Sequence, residues 1–165
     1  MKINVNGKEY EAYNLIMQRE NALEIIRGQK KLESRNFSDF YIKMFLNVDE
    51  FNKIIGYVNA DKPIPDPETV DLRIFKHPFR PEYPEEKRMA IHFTNRQHSW
   101  YLDVLLKEQM VESLTPKTIR TLGEEFGFHD FDYLIPELEN QTDDDDAEPY
   151  FFFAIDRVLQ TDLVG

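Results

Sequence analysis

The stretch that most constrains the fold is residues 149–155, PYFFFAI, which contains three consecutive phenylalanines. Aromatic and β-branched residues favour extended backbone, and a run this apolar is unfavourable in water. We therefore expect a strand that is inserted into a sheet rather than a tail. The rest of the 165-residue chain can supply such a sheet, since 41% of its residues are hydrophobic and 13% are aromatic. A chain of this length predicts one domain with one core.

Turn and cap residues predict a mixture of strands and helices. Asn6-Gly7 offers two positive-φ positions for a tight hairpin turn. Gly28 stands where a helix C-terminal cap is wanted, and Thr115 and Gly127 bracket a later helix. The segments predicted as strands are residues 3–5, 9–13, 31–35, 70–75, 88–94 and 99–106, besides 149–155. The segments predicted as helices are residues 21–27, one or two helices within 38–58 with Asp49 as an internal cap, and 115–126.

The formal charge of −11 is unevenly distributed along the chain. Residues 121–165 contain thirteen acids and one base, a formal charge of −12, so residues 1–120 carry +1. Phosphate contacts are local, and charges separated by more than about 10 Å are screened at moderate salt. A positive cleft in the first part of the chain is therefore compatible with an acidic protein, and nucleic acid is not excluded as a partner.

Several chemistries are excluded or disfavoured by composition. The chain has no cysteine, which rules out disulfides, thiol nucleophiles and thiolate metal sites. No apolar leader begins the sequence, and no stretch approaches the ~18 apolar residues of a membrane span. We expect a cytoplasmic protein without membrane association. His92 and His98 lack a carboxylate at a convincing ligand spacing, so we expect no metal and no cofactor.

The most informative charged group follows the first predicted helix. Glu33 and Arg35 are two residues apart, so on a strand they share one face, and Lys30 in the preceding turn can swing toward the same side. Two cations would then flank one carboxylate. Such a group can contact a phosphate or a polar base edge, with Glu33 kept ionised by its neighbours. The alternative is a plain ion pair between Glu33 and Arg35 on a solvated strand face.

Residues 28–35 read GQKKLESR, and this run, GxKxxExR, resembles the signature of the ASCH family of PUA-like proteins. Residues 153–159 resemble the last barrel strand of the family less closely. The resemblance implies an α+β fold: a small, mixed, mostly antiparallel PUA-like β-barrel with flanking helices. It would be a single domain over residues 1–165, with a helical insertion around 38–58 and an acidic loop around 140–148.

The resemblance also implies a cleft that binds RNA or nucleotides. Gly28 would make the turn, and Lys30, Glu33 and Arg35 would line the cleft. One branch of the family hydrolyses acetylated cytidine with a lysine at the position of Lys30, but it has a threonine where this chain has Glu33. Ser34 is expected on the opposite face of the strand and does not replace that hydroxyl. The leading prediction is therefore a module that binds RNA or a modified nucleotide.

Two other functions remain open. A nucleoside amidohydrolase or nuclease would use Lys30 and Glu33 as an acid–base pair. A protein-interaction module, or one that mimics nucleic acid, would instead use the acidic residues 121–165.

Aromatic and basic residues in the middle of the chain offer further candidates. His98 and Trp100 lie in the predicted hairpin, where they could donate to or stack on a base, although core packing is the commoner role for a lone tryptophan. A basic mid-chain stretch could extend a phosphate-binding rim, or it could be an ordinary solvated surface. Its members are Arg73, Lys76, Arg80, Lys87, Arg88 and Arg96.

Overall fold

The computed structural model describes residues 1–140 and 147–164, which form a mixed α+β fold with one six-stranded sheet. The strands are β1 (Lys2–Val5), β2 (Lys8–Ile16), β3 (Leu32–Asn36), β4 (Ala90–Thr94), β5 (Tyr101–Ser113) and β6 (Pro149–Thr161). The helices are α1 (Arg19–Ile26), α2 (Asp39–Phe45), α3 (Val48–Asn59), α4 (Val70–Ile74), α5 (Pro116–Phe126) and α6 (Ile135–Glu139). None of the described helices combines the length and apolarity needed to cross a membrane.

The sheet is mostly antiparallel, as predicted, but it is not closed into a barrel. Its strand order is β1-β2-β4-β5-β6-β3, so β1 and β3 lie at the two edges. Only the β2–β4 pair is parallel among these neighbours. Closure would require a further backbone ladder between edge strands. The short strand β3 instead approaches β2 through a side chain, since Arg35 Nη2 donates to the carbonyl of Ile16 at 2.9 Å. The prediction of a closed barrel is therefore wrong.

Strand β6 is the inserted strand that the phenylalanine run predicted. It pairs with β5 on one side and with β3 on the other. Phe151 and Phe153 point into the main core on one face of the sheet, and Phe152 points into a second core on the other face. All three are fully buried. Burying each ring contributes roughly 1.5–3 kcal/mol, which explains why both alternating positions are apolar.

Helices cover both faces of this central region. The main core takes Ile25 from α1, Phe45 from α2, Ile54 from α3 and Ile74 from α4. The second core lies under α5, which contributes Leu122 and other apolar residues. Helices α2 and α3 occupy the segment in which one or two helices were predicted.

Several local signals are confirmed. Asn6 and Gly7 have φ values of 52° and 86°, as the hairpin turn between β1 and β2 requires. Thr115 caps α5 by accepting a hydrogen bond from the N–H of Thr118 at 3.1 Å, and Gly127 ends that helix with φ 64°.

Other local predictions need correction. Residues 70–75 form α4 and the residue after it, not a strand, because Ile74 is buried against the main core and helix α4 packs beside α3. Asn47, rather than Asp49, caps α3, with its side chain accepting from the N–H of Glu50 at 3.3 Å. Strands β5 and β6 also extend beyond the predicted ranges, to Ser113 and Thr161. Most of the acidic loop predicted around 140–148 lies outside the described residues.

Candidate functional site

A glycine turn carries the chain from α1 into β3. Gly28 has φ 75°, a conformation that L side chains rarely adopt, although no atom lies within 4 Å of where its Cβ would be. Its N–H donates to the carbonyl of Ile25 at 3.0 Å, and the N–H of Lys30 donates to the carbonyl of Glu24 at 3.2 Å. The glycine is therefore needed for backbone conformation rather than for space. The turn fixes the position of the Lys30 backbone relative to the end of α1.

Lys30, Glu33 and Arg35 converge in a group that we call the charged cluster. Lys30 Nζ lies 3.4 Å from Glu33 Oε2, and Arg35 Nε lies 3.4 Å from Glu33 Oε1. The exposed fractions of these side chains are 16% for Lys30, 7% for Glu33 and 13% for Arg35. The spacing argument for a shared face agrees with this arrangement. The arrangement disagrees with the alternative of an ion pair on a solvated strand face, because the Glu33 carboxylate is buried.

Arg35 is held by contacts to two other elements, α2 and the end of β2. Its Nη1 donates to the hydroxyl of Tyr41 on α2 at 2.8 Å, and its Nη2 donates to the Ile16 carbonyl at the end of β2. The guanidinium carbon also lies 5.6 Å from the centre of the Tyr41 ring. These contacts fix the guanidinium in one orientation beside Glu33.

Hydrogen bonding in the charged cluster is incomplete. Among the described residues, buried Glu33 Oε2 and Arg35 Nε make ion-pair contacts but have no partner with hydrogen-bond geometry. Buried polar groups are normally hydrogen-bonded, because leaving one unpaired costs about 1–3 kcal/mol. The cluster therefore holds one buried acceptor and one buried donor that make no hydrogen bond among the described residues.

The other face of β3 has a different character. Leu32 and Ser34 pair in register with Ala154 and Phe152, which belong to the second core. Glu33 pairs with Phe153, which belongs to the main core. Ser34 therefore points away from the charged cluster, as the alternation of the strand predicted.

A separate cleft of about 990 Å³ opens beside the ends of β2 and β4, and we call it the strand-end cleft. Because these strands are parallel and Ile16 is opposite Thr94, the chain leaves the sheet at the same edge after both. Arg19 follows the first strand and Arg96 follows the second, so both line the cleft. The lining residues are Ile16, Met17, Gln18, Arg19, Asn95, Arg96, Gln97, Ser99, Trp100, Asp162 and Leu163.

Trp100 and His98 belong to the strand-end cleft and its turn rather than to the charged cluster. Trp100 is 7% exposed and packs in the main core, with one part lining the cleft. His98 is exposed in the turn between β4 and β5, with φ 53°. The structure thus brings Lys30, Glu33 and Arg35 together, while His98 and Trp100 stand apart from them. Ile16 connects the two regions, since it lines the cleft and its carbonyl accepts from Arg35.

Most of the basic mid-chain stretch serves to hold loops. Arg73 donates to the carbonyls of Pro65 and Asp66, and Arg80 donates to the carbonyl of Glu68. The Arg88 side chain donates to the Tyr83 carbonyl and to Asp156. Arg96 is the member of the stretch that lines the strand-end cleft. Sequence reasoning missed Arg19 there, because only the parallel pairing of β2 and β4 reveals that the two arginines are neighbours.

A histidine–carboxylate pair lies on the face of the sheet opposite the main core. His92 Nδ1 is 2.5 Å from Asp103 Oδ1, and Gln160 donates to the second oxygen of Asp103 at 2.8 Å. Asp103 is 1% exposed, and the His92 ring lies parallel to that of Tyr101. Nowhere in residues 1–140 or 147–164 do three potential metal-ligating side chains converge, here or elsewhere.

Comparisons with known proteins give one structural neighbour. The crystal structure of an ASCH protein from Zymomonas mobilis, a serine-to-alanine mutant, matches with 13% identity and a TM-score of 0.37. The match covers 90% of this chain and 70% of that one. Neither a family model nor a curated protein matches the sequence. The neighbour bears the name of the family that residues 28–35 resemble. At this TM-score the likeness carries no argument about function.

Proposed function

We propose that this chain binds RNA or a modified nucleotide, with the charged cluster as its recognition site. The observation that carries the proposal is a 6% exposed carboxylate, Glu33, between two cations, with one oxygen that lacks a hydrogen bond among the described residues. A buried carboxylate is costly unless it is paired and fully hydrogen-bonded. An incompletely bonded one is well suited to accept from a ligand.

The three side chains have distinct roles in this proposal. Glu33 accepts from an amino group on the edge of a base, a charge-assisted bond that is stronger than a neutral one. Lys30 and Arg35 contact phosphate or sugar oxygens, and the incompletely bonded Arg35 Nε supplies a further donor. Since Arg35 is already fixed by Tyr41 and Ile16, its guanidinium loses little freedom on binding.

Lys30 is the most exposed member of the charged cluster. It also lines a pocket of about 300 Å³ between the end of α1 and the end of α5. The Lys30–Glu33 contact is therefore the one that a ligand displaces. A base edge inserted there would replace the ammonium beside Glu33 Oε2, and Lys30 would be released toward the phosphate.

The enzyme alternative uses the same pair. The 3.4 Å contact between Lys30 and Glu33 would suit an acid–base pair acting on water. Covalent amide cleavage needs an activated nucleophile, however, and Ser34 faces the opposite side of β3. Binding therefore accounts for more of the observed geometry than hydrolysis. The acidic interaction module would use residues 121–165, and residues 141–146 of that stretch lie outside the described part of the chain.

Fluorescence anisotropy with a labelled short single-stranded RNA tests the proposal. We expect Lys30→Ala to weaken binding by about tenfold or more at low salt, since a hydrogen bond to a charged group contributes roughly 1.5–3 kcal/mol. The difference should shrink as salt rises. Lys117→Ala, which removes an exposed lysine on α5, is the matched control and should bind like the wild type.

Equal affinities for the wild type and Lys30→Ala would exclude the charged cluster as the binding site. Chromatography of the same mixtures separates binding from catalysis. Product formed by the wild type and lost in Lys30→Ala would favour the enzyme alternative.

A further inference from the structure

We infer that the ligand of the charged cluster is a single-stranded oligonucleotide that continues into the strand-end cleft, where Arg19 and Arg96 bind its phosphates. This inference rests on the proposed function and adds the length and form of the ligand. A single nucleotide would leave the strand-end cleft unused. A strand of several nucleotides would use both regions.

The two arginines of the cleft are available for an anion. Both are exposed, and neither makes a salt bridge or a side-chain hydrogen bond within residues 1–140 and 147–164. The carboxylate of Asp162 also lines the cleft, but its Oδ1 already accepts from the N–H of Tyr101 at 2.8 Å. Two guanidinium groups therefore face the cleft against one carboxylate that is held by the backbone. Guanidinium forks suit phosphate oxygens because they can donate two parallel hydrogen bonds.

The turn that carries Arg96 is well ordered by its own side chains. Asn95 Oδ1 accepts from the N–H of Ser99 at 2.8 Å, and Asn95 Nδ2 donates to the hydroxyl of Ser99 at 2.7 Å. Arg19, which also lines the cleft, is the first residue of α1. Both arginines thus project from fixed backbone, which lowers the entropic cost of holding a strand between them.

Ile16 joins the cleft to the charged cluster. Ile16 lines the cleft, and its carbonyl oxygen accepts a hydrogen bond from Arg35 Nη2 at 2.9 Å. Arg35 in turn contacts Glu33. A chain of contacts therefore leads from Glu33 through Arg35 to Ile16 at the cleft. Successive phosphates of one strand can follow that path past Arg35 to Arg19 and Arg96.

The burial of Glu33 excludes a duplex as the ligand. With 6% of Glu33 exposed, a base must insert its edge into the protein to reach the carboxylate. A base in a double helix has that edge occupied by its partner, whereas an unpaired base can be splayed out and read. The cleft volume of about 990 Å³ lies at the upper end of the ~300–1,000 Å³ usual for small-ligand sites, which leaves room for more than one nucleotide.

A length series tests the inference. Binding of a nucleoside monophosphate and of single-stranded RNAs of two, four and eight identical nucleotides is measured for the wild type and for Arg19→Gln/Arg96→Gln. In the wild type, affinity should rise with length. In the double variant the gain with length should be lost while binding of the monophosphate stays unchanged. The negative slope of log K against log salt for the longest RNA should become shallower by about 1.4 in the double variant, since each single-strand phosphate contact contributes about 0.7.

The control removes the same charge elsewhere. Lys62→Gln/Lys117→Gln replaces two exposed lysines outside the strand-end cleft and should keep the gain with length and the salt slope. If the arginine variant keeps the gain, or if the wild type binds all lengths equally, the inference is wrong while the proposed function stands. If Lys30→Ala binds the monophosphate as well as the wild type does, the proposed function fails, and this inference fails with it. Tighter binding of a duplex of the same sequence would also overturn the inference.

Discussion

Replacing Glu33 by glutamine removes the carboxylate at the centre of the charged cluster and keeps its shape. At 3.4 Å, and with an effective dielectric constant of about 20, each ion-pair contact of Glu33 has a Coulomb energy of about 5 kcal/mol. Desolvation of buried Glu33 and of half-buried Lys30 and Arg35 offsets most of this energy in the intact protein. Removing one partner of a buried pair leaves the others uncompensated, and this typically costs 3–5 kcal/mol. Because Arg35 keeps its bonds to Tyr41 and Ile16, we expect a loss of about 3 kcal/mol, at the low end of that range.

Urea unfolding followed by fluorescence measures this loss directly. Trp100 is the sole tryptophan and is 7% exposed, so its emission reports on unfolding of the main core. With an m-value of about 2 kcal/mol/M, the midpoint should fall by about 1.5 M. The matched control is Glu50→Gln, which breaks an exposed contact with Lys53 of 3.1 Å and should change stability by less than about 0.5 kcal/mol.

A double-mutant cycle with Lys30→Met isolates the Lys30–Glu33 interaction. The double variant should be more stable than the sum of the single losses predicts, since both members of the contact are then absent. If Glu33→Gln changes the free energy of unfolding by no more than Glu50→Gln does, and the cycle shows no coupling, the charged cluster is not the tightly coupled group described above.

Two further predictions concern acidity and catalysis. Burial is the main cause that raises the pKa of Glu108, and the negative charge of Glu125 adds to it. The folded protein therefore binds a proton at Glu108 more tightly than the unfolded chain does, and stability falls as the pH rises through the raised pKa. Glu108→Gln should therefore raise the melting temperature at about pH 8, with the gain shrinking as the pH falls to about 4; a gain independent of pH would contradict this. We also expect no efficient hydrolysis of free acetylated cytidine, because the charged cluster holds no hydroxyl nucleophile. Turnover by the wild type that disappears in Lys30→Ala would refute that expectation.

Local chemistry made part of the fold predictable. Asn6-Gly7 and the pair Thr115 and Gly127 act through positive φ values and helix caps, which depend on neighbours within a few residues. The charged cluster was predictable for the same reason, since a turn and a two-residue spacing are enough to bring Lys30 and Glu33 together.

Features set by distant pairing were not predictable. Val70, Leu72 and Ile74 alternate as in a strand, yet packing beside α3 makes this segment helical. The alternation of β5 is interrupted by register shifts near Asp103 and Leu106, which hid its full length. The strand-end cleft depends on β2 and β4 lying side by side, and no local signal in the sequence gives that pairing.

The position of β6 has a consequence for the order of events during synthesis. Strand β3, which carries Glu33 and Arg35, pairs with β6 in the sheet, and β6 ends at Thr161. The β6 residues that pair with β3 therefore leave the ribosome more than a hundred residues after β3 does. Contacts at such sequence separation form late, because a long loop must close before they can be made. While the chain is being translated, α1 and the glycine turn can form, but Glu33 remains accessible to water and to other macromolecules. The charged cluster is thus completed late in folding, when β6 has docked beside β3.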